Sequence, residues 1–295
     1  MNRTNRFHAL ILGCLLVNFG SVAQEVDLKV SFDDLKSYKT TVLMDPGDSP
    51  LTKEDIAALW YSPESIEFAK TNELSAQLKK NTNLFIIPVV ETVSKGVTNY
   101  RLVLVQGKST MTLGTNLDAD GFYMISLANL DIIAAIYVDP AKIKTPFLRC
   151  YMSALSSLVS KYVQYESKEQ LEEYLKMNYW YEGMKRVVFE EQDVDSLIRD
   201  KALFSSIFKN GTTAADSVIY KNIARPQRDP NDLYAEILVV NKKGGSFEVH
   251  RFFFSPVLGL IYHEFEGSDK RKDIKFTKRD IYNYGKVDVN GKNRN

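Results

Sequence analysis

The chain has 295 residues, of which 44% are hydrophobic and 25% are charged, and its 38 basic and 37 acidic residues give a net charge of +1. This composition is typical of a folded soluble protein. The balanced charge provides no electrostatic drive toward a polyanion, so we expect no nucleic-acid partner.

The first 23 residues have the pattern of a secretory signal peptide. Arg3 and Arg6 precede a short apolar run at 9–19, and Ser21-Val22-Ala23 ends the segment with small residues. The run is shorter than a membrane span, which needs about 20 apolar residues. We therefore predict cleavage after Ala23, export to the periplasm or the extracellular space, and no transmembrane span in the remaining chain.

Cys14 permits a second interpretation of the N-terminus. The segment Ile11-Leu12-Gly13-Cys14 resembles a lipobox, in which the cysteine is lipidated and anchors the protein. Apolar residues continue after Cys14, where a lipoprotein usually has a polar tether, so cleavage after Ala23 is the favoured prediction. Cys150 then remains as the sole cysteine, and its place at the start of an apolar helical pattern predicts a buried thiol.

Residues 24–142 are predicted to form an α+β subdomain. Alternation at 26–32 predicts a strand, and helices are expected after Thr52, which can act as a cap, and after Ser62, which precedes a proline. An antiparallel meander is predicted next, with strands at 84–92, 97–106, 109–114, 122–127 and 132–138. Pro88 lies within the first of these strands and predicts an edge strand or a bulge, because proline has no amide N–H.

Residues 143–267 are predicted to form a second α+β subdomain. Apolar residues at three- and four-residue steps from Leu148 to Tyr162 predict a helix, and further helices are expected near 167–177 and 193–209. Alternating runs at 233–240, 247–254 and 258–265 predict a second meander. Residues 268–295 are predicted to be a basic, polar tail that adds at most one short strand at 274–276.

This order of elements predicts the fold class. Helices and strands are segregated along the chain, which favours an α+β fold over a doubly wound α/β fold. Two helical segments alternate with two antiparallel β meanders, so the chain is expected to contain two similar subdomains that divide near residues 140–146. The residues of the two halves do not align convincingly.

An aromatic segment is the candidate ligand-binding site. Tyr179, Trp180 and Tyr181 concentrate aromatic surface near the end of a predicted helix. Such side chains can stack on sugar rings while their polar atoms reach hydroxyl groups. The alternative is that the helix end packs onto a sheet, since tyrosine and tryptophan are large fillers of mixed polarity.

Two groups are candidate metal sites. Asn116, Asp118 and Asp120 alternate like the first ligands of a calcium loop, although Leu127 stands where a bidentate glutamate belongs, and an Asp-Gly turn is the alternative. A four-residue hairpin loop would place His250 opposite His263, close enough to share a metal with Glu248 as a third ligand. The alternative is that both histidines are ordinary strand residues.

The chain lacks the local motifs of nucleotide-binding loops, serine hydrolases and zinc proteases. We therefore expect an exported protein that acts without catalysis by binding an envelope protein or a glycan, with calcium as the one cofactor considered. The alternative is a secreted hydrolase that uses paired carboxylates, because such pairs leave no local sequence motif.

Overall fold

The computed structural model describes residues 24–26, 40–44, 52–58, 60, 66–110, 116–127, 130–143, 147–164, 186–196, 218–220, 232–256, 259–268 and 274–277. Within these residues the protein has an α+β fold, which confirms the predicted fold class. None of the helices in these ranges is long and apolar enough to cross a membrane.

Strands β1 to β7 form an N-terminal sheet. They are β1 (Gln24–Val26), β2 (Thr40–Met44), β3 (Ile66–Ala69), β4 (Asn83–Ser94), β5 (Val97–Gln106), β6 (Tyr123–Met124) and β7 (Ile132–Tyr137). Their order is β1-β7-β5-β4-β2-β3, and β6 pairs with β4. The predicted meander β4-β5-β7 is antiparallel, whereas β2 lies parallel to both β3 and β4.

Strands β8 to β12 form a C-terminal sheet. They are β8 (Arg186–Glu190), β9 (Val218–Tyr220), β10 (Asp232–Asn241), β11 (Phe247–Ser255) and β12 (Gly259–Ser268). Their order is β12-β11-β10-β8-β9. Strands β10, β11 and β12 are the predicted antiparallel meander, and β8 lies parallel to β10 and β9.

In the described ranges, the helices are short apart from one. They are α1 (Lys53–Ala57), α2 (Thr71–Gln77), α3 (Pro140–Ile143) and α4 (Leu148–Gln164), and a 3-10 turn covers Glu191–Asp193. The apolar stripe predicted for α4 is buried at Leu148, Tyr151, Leu155 and Leu158. Cys150 is buried on the same helix, as predicted.

The two sheets repeat one topology. With β1 and β6 set aside, β7-β5-β4-β2-β3 corresponds strand for strand, in chain order, to β12-β11-β10-β8-β9. Both sheets also have a register shift between the last two meander strands, after Leu104 in β5 and after Phe253 in β11. The chain therefore contains two copies of one strand arrangement, although each sheet is mixed and not purely antiparallel.

Helix α4 packs between the two sheets. Its buried residues share one apolar core with Ile86 and Leu104 of the N-terminal sheet and with Tyr234 and Phe254 of the C-terminal sheet. The opposite face of the N-terminal sheet buries Leu74 and Leu78, at the α2 segment, in a second core. Because the first core includes residues from both halves, the two sheets stabilise each other by burying apolar area.

The structure corrects the predictions for residues 66–69 and for Pro88 in the N-terminal half. Residues 66–69, expected to continue the helix after Ser62, form β3, because parallel pairing with β2 outweighs the local cap-like pattern. For Pro88, the edge-strand alternative is wrong because β4 is internal, whereas the bulge alternative is met later in the same strand, where the register against β5 shifts between Thr92 and Ser94. Pro88 itself is paired with β5, and on the other side of β4 it lies between the end of pairing with β2 at Ile86 and the start of pairing with β6 at Val89.

The structure also changes the interpretation of the C-terminal end. The helix expected from Asp193 does not begin there, because Val194 forms a parallel bridge with Phe276. The Phe276 side chain is 1% exposed, and its ring centroid lies 5.1 Å from that of Phe189 and 5.7 Å from that of Phe253. Residues 274–277 are therefore anchored to the C-terminal sheet and do not belong to a solvated tail.

Candidate functional site

The predicted ligand-binding residues Tyr179, Trp180 and Tyr181 lie outside the described residues. Their role remains a prediction. The same holds for the N-terminal segment that contains Cys14 and for the predicted helix near 167–177.

Asp118 is the centre of a tight turn. Its Oδ1 accepts hydrogen bonds from the backbone N–H groups of Asp120, at 3.0 Å, and Phe122, at 2.8 Å, and Gly121 has a φ of 88°. This is the geometry of an Asx turn, in which the carboxylate stabilises the chain reversal. Within the described residues, no three His, Cys, Asp or Glu side chains are placed to hold a metal. Calcium binding by Asn116, Asp118 and Asp120 stays a prediction.

The predicted pairing of His250 with His263 is wrong. His250 lies opposite Phe265, and His263 lies opposite Phe252. The hairpin closes with Ser255 opposite Gly259, one residue away from the predicted register, and the shift after Phe253 adds one more. Two such shifts offset the partners by two residues, so the metal pair built on the predicted register loses its basis.

His250 belongs to a polar group of the C-terminal sheet, and its ring contacts the N-terminal sheet. Its Nε2 lies 3.1 Å from Glu248 Oε2, which also accepts a hydrogen bond from Lys242 Nζ at 3.0 Å. Its ring centroid lies 5.8 Å from that of Tyr137 in the N-terminal sheet. Burial lowers the pKa of His250 to about 3, with Lys242 and Arg101 acting in the same direction. His250 is therefore a neutral core residue at physiological pH.

A second polar group, which we call the carboxylate cluster, was not predicted from the sequence. It consists of Asp139, Glu190, Asp193 and Glu236 around Lys142. Asp139 precedes α3 and caps it by accepting the backbone N–H of Ala141 at 2.9 Å, and Lys142 lies within α3. Glu190 ends β8, Asp193 follows in the 3-10 turn, and Glu236 lies in the middle of β10.

Lys142 and Tyr151 hold the buried carboxylates of this cluster. Lys142 Nζ lies 3.3 Å from Glu236 Oε1 and 3.8 Å from Glu190 Oε1. The Tyr151 hydroxyl donates to Glu236 Oε1 at 2.5 Å and accepts the backbone N–H of Asp139 at 3.0 Å. The cluster therefore joins α3, α4, β8 and β10 around one ammonium group.

Burial dominates the protonation of the cluster. It raises the pKa of Glu236 to about 7, although Lys142 and Tyr151 act in the opposite direction. It also raises the pKa of Asp193 to about 6, against the effect of Lys142 and with support from Glu190. For Lys142, burial lowers the pKa, but the surrounding carboxylates, Glu236 first, outweigh it and raise the pKa overall. The cluster thus contains two carboxyl groups that exchange protons near neutral pH.

One oxygen of Glu236 has no hydrogen-bond donor among the described residues. The side chain is 0% exposed, and Oε2 is buried without a partner, while Oε1 takes both the Tyr151 and the Lys142 contacts. A buried carboxylate oxygen without a donor is costly, so an added proton or a ligand that donates a hydrogen bond would be stabilised there.

The two sheets differ in the residues that their corresponding strands place on the α4 side. Strands β2 and β4 correspond to β8 and β10, and their core residues on the α4 side are Leu43, Leu84, Ile86 and Val90. Glu190 and Glu236 lie on the α4 side of their own sheet, two residues after Val188 and Tyr234.

One sequence signal could have identified Glu236. It is the one charged residue in the run from Leu233 to Val240, and a glutamate inside an apolar strand is rarely fully buried unless it is paired. No comparable signal marks Lys142, because its role depends on where α3 packs.

No protein-family model matches the chain, and neither a curated protein nor a solved structure matches it. The function must therefore be argued from the chemistry of its own residues.

Proposed function

We propose that the protein is exported and acts by binding an envelope protein or a glycan. The N-terminal pattern of Arg3 and Arg6, an apolar run and Ser21-Val22-Ala23 supports export. N-terminal sequencing of the protein from its native host tests this step, and the expected first residue is Gln24. A lipidated Cys14 as the first residue would instead support the lipoprotein alternative.

The observation that favours binding over catalysis is that the buried carboxylates of the cluster already interact with a lysine of the protein. Glu236 and Glu190 are 0% and 4% exposed, and both lie beside Lys142. A hydrolase with paired carboxylates needs both groups to flank a substrate bond in a cleft. Carboxylates that already surround an internal ammonium fit a binding or stabilising role better.

The test is recovery of a defined partner followed by direct measurement. The mature protein is used to capture partners from its native envelope, and each candidate is then purified and titrated against it. We expect a saturable interaction that weakens about tenfold when Tyr179, Trp180 and Tyr181 are replaced with serine, the loss of about 1.4 kcal/mol. Met124→Ala, a change at a residue 56% exposed on β6, is the matched control and should leave the affinity unchanged. Failure of every purified candidate to bind would contradict the proposal.

The second candidate function is a hydrolase with Glu236 as general acid. The observation that favours it is the pKa of Glu236, raised to about 7 mainly by burial, which would let a carboxyl group carry a proton at neutral pH. Release of reducing sugars from envelope polysaccharide tests it. Turnover by the mature protein that Glu236→Gln abolishes would favour the hydrolase, and turnover indistinguishable from buffer would exclude this reaction.

A further inference from the structure

We propose that the carboxylate cluster binds an alkylammonium group, with Glu236 Oε2 as the acceptor that Lys142 and Tyr151 leave unpaired. This inference deepens the binding function proposed above and rests on it. It gives that function a site and a ligand chemistry.

The charge of the cluster favours a cation. Four carboxylates surround the single ammonium of Lys142, so the cluster as defined has an excess of acid groups. Lys275, on the segment anchored by Phe276, already lowers the pKa of Asp193 from outside the cluster. An approaching anion would be repelled by these carboxylates, whereas a second ammonium would be attracted to them.

The hydrogen-bonding state of Glu236 favours a ligand with N–H donors. Oε2 is buried, and within the described part of the chain it has no donor. Charge-assisted hydrogen bonds between ammonium and carboxylate groups are about twice as strong as neutral ones. A hydroxyl group would supply a donor but not the missing positive charge, so an ammonium group satisfies both requirements together.

The cluster reaches the surface on one side. Asp139, Lys142 and Asp193 are only half-buried, whereas Glu190 and Glu236 are fully buried. Lys142 Nζ lies 4.8 Å from the centroid of the Phe147 ring, so an aromatic face borders the same place. This ring is fully buried, so the attraction of its face for an ammonium group acts on Lys142.

Titration calorimetry of the purified chain with cadaverine tests the site. We expect saturable binding at pH 8 that is about tenfold weaker at pH 6, because the ligand must then displace a proton from Glu236. The charged and titratable groups around Glu236 are Asp139, Lys142, Cys150, Tyr151, Glu190 and Asp193. Tetramethylammonium, which carries the charge without N–H donors, should bind about tenfold more weakly than cadaverine.

Substitutions distinguish binding of cadaverine at the carboxylate cluster from its general electrostatic attraction to acidic residues on the surface. Glu236→Gln should weaken cadaverine binding at pH 8 about tenfold, since it removes the charge but keeps the shape. Glu67→Gln, an exposed carboxylate on the edge strand β3, is the matched control and should bind like the unmodified chain. If Glu236→Gln fails to fold, Lys142→Met provides the second test. Removal of the internal ammonium should then tighten cadaverine binding.

The source of the ammonium group is distinguished by a second probe. Tighter binding of tetralysine than of cadaverine would indicate lysine side chains of a polypeptide partner, and the reverse would indicate a small amine. Absence of cadaverine and tetralysine binding at millimolar concentration and pH 8, or equal binding by Glu236→Gln, would overturn the inference. If an envelope partner is still captured in that case, the proposed binding function stands without this site.

Discussion

Tyr151 donates its hydroxyl hydrogen to Glu236 Oε1 at 2.5 Å, and this hydrogen bond joins helix α4 to strand β10. Both side chains are fully buried. The same hydroxyl accepts the backbone N–H of Asp139, at the residue that precedes α3. One tyrosine oxygen therefore connects the interior helix, the C-terminal sheet and the segment that carries Lys142.

Removal of this hydroxyl should destabilise the protein. Tyr151→Phe leaves the Asp139 N–H without an acceptor and leaves Glu236 Oε1 with Lys142 as its one partner, so we expect a loss of about 1–3 kcal/mol in the free energy of unfolding. Chemical denaturation measures this change. Tyr100→Phe, at a ring packed edge-on against Phe122, is the matched control and should cost less. Equal losses in the two variants would contradict the role assigned to Tyr151.

Glu236 should make the protein less stable as pH rises. Its pKa is about 7 in the folded chain against an ordinary value of 4.5, so between these values the folded state holds more protons than the unfolded state. Stability then falls as pH increases through this window, by on the order of 3 kcal/mol if the whole shift is realised. Asp193 acts in the same direction.

The measurement is the free energy of unfolding from pH 4.5 to 8. Glu236→Gln should flatten the decline, because glutamine does not titrate, whereas Glu67→Gln should reproduce the decline of the unmodified chain. If the free energy of unfolding of Glu236→Gln declines with pH as in the unmodified chain, the decline is caused by other groups.

His250 should have the opposite effect. Burial, with Lys242 and Arg101, lowers its pKa to about 3, so between that value and 6.5 the unfolded state holds more protons. Its contribution therefore makes stability fall as pH drops below 6.5. His250→Gln should reduce this fall, and His263→Gln should not, because His263 is not the register partner of His250. If both variants reduce the loss of stability at low pH equally in thermal unfolding, the result would support the arrangement in which the two histidines are paired.

Phe276 should hold the C-terminal segment on its sheet. The Phe276 N–H donates to the Asp193 carbonyl at 2.7 Å, and its buried ring packs against Phe189 and Phe253. Phe276→Ala should cost about 3–5 kcal/mol and should speed proteolysis near residues 274–277. Thr277→Ala, a smaller truncation at the half-buried neighbouring residue, is the control. An unchanged digestion rate in Phe276→Ala would show that other contacts retain the segment.

Gly259 should tolerate no side chain. It has a φ of 85°, and a Cβ there would lie 2.6 Å from the backbone carbonyl oxygen of Ser153 in α4. Gly259→Ala should therefore cost about 2–4 kcal/mol through strain and overpacking. Gly244→Ala, where φ is 89° but nothing lies within 4 Å, isolates the strain alone and should cost less in thermal unfolding. Equal costs would show that the approach of α4 to β12 is not close.

The periodicity of the sequence predicts those helices and strands whose formation depends mainly on neighbouring residues. Strands β5, β10 and β11 and helix α4 each have a clear period and turn residues at their ends, and they were predicted within a few residues. The parallel strands were different. Residues 66–69 are short and follow a cap-like proline, and only pairing with β2 makes them a strand.

The site depended on contacts that the sequence does not encode locally. The register of the β11–β12 hairpin was missed because two single-residue shifts, at the loop and after Phe253, cannot be deduced from alternation. Glu236 could have been suspected as the charge within an apolar strand. Its partnership with Lys142 and Tyr151 could not, since it depends on how α3 and α4 pack against β10.

The most direct test of the carboxylate cluster is a ¹³C NMR titration of the Glu236 side-chain carboxyl, assigned by its loss in Glu236→Gln. We expect a midpoint near pH 7 in the ligand-free protein, because burial opposes ionisation more than Lys142 and Tyr151 favour it. Saturating cadaverine should lower the midpoint by about one unit, since the bound ammonium stabilises the carboxylate. A midpoint near 4.5 that cadaverine does not move would contradict both the protonation state and the site.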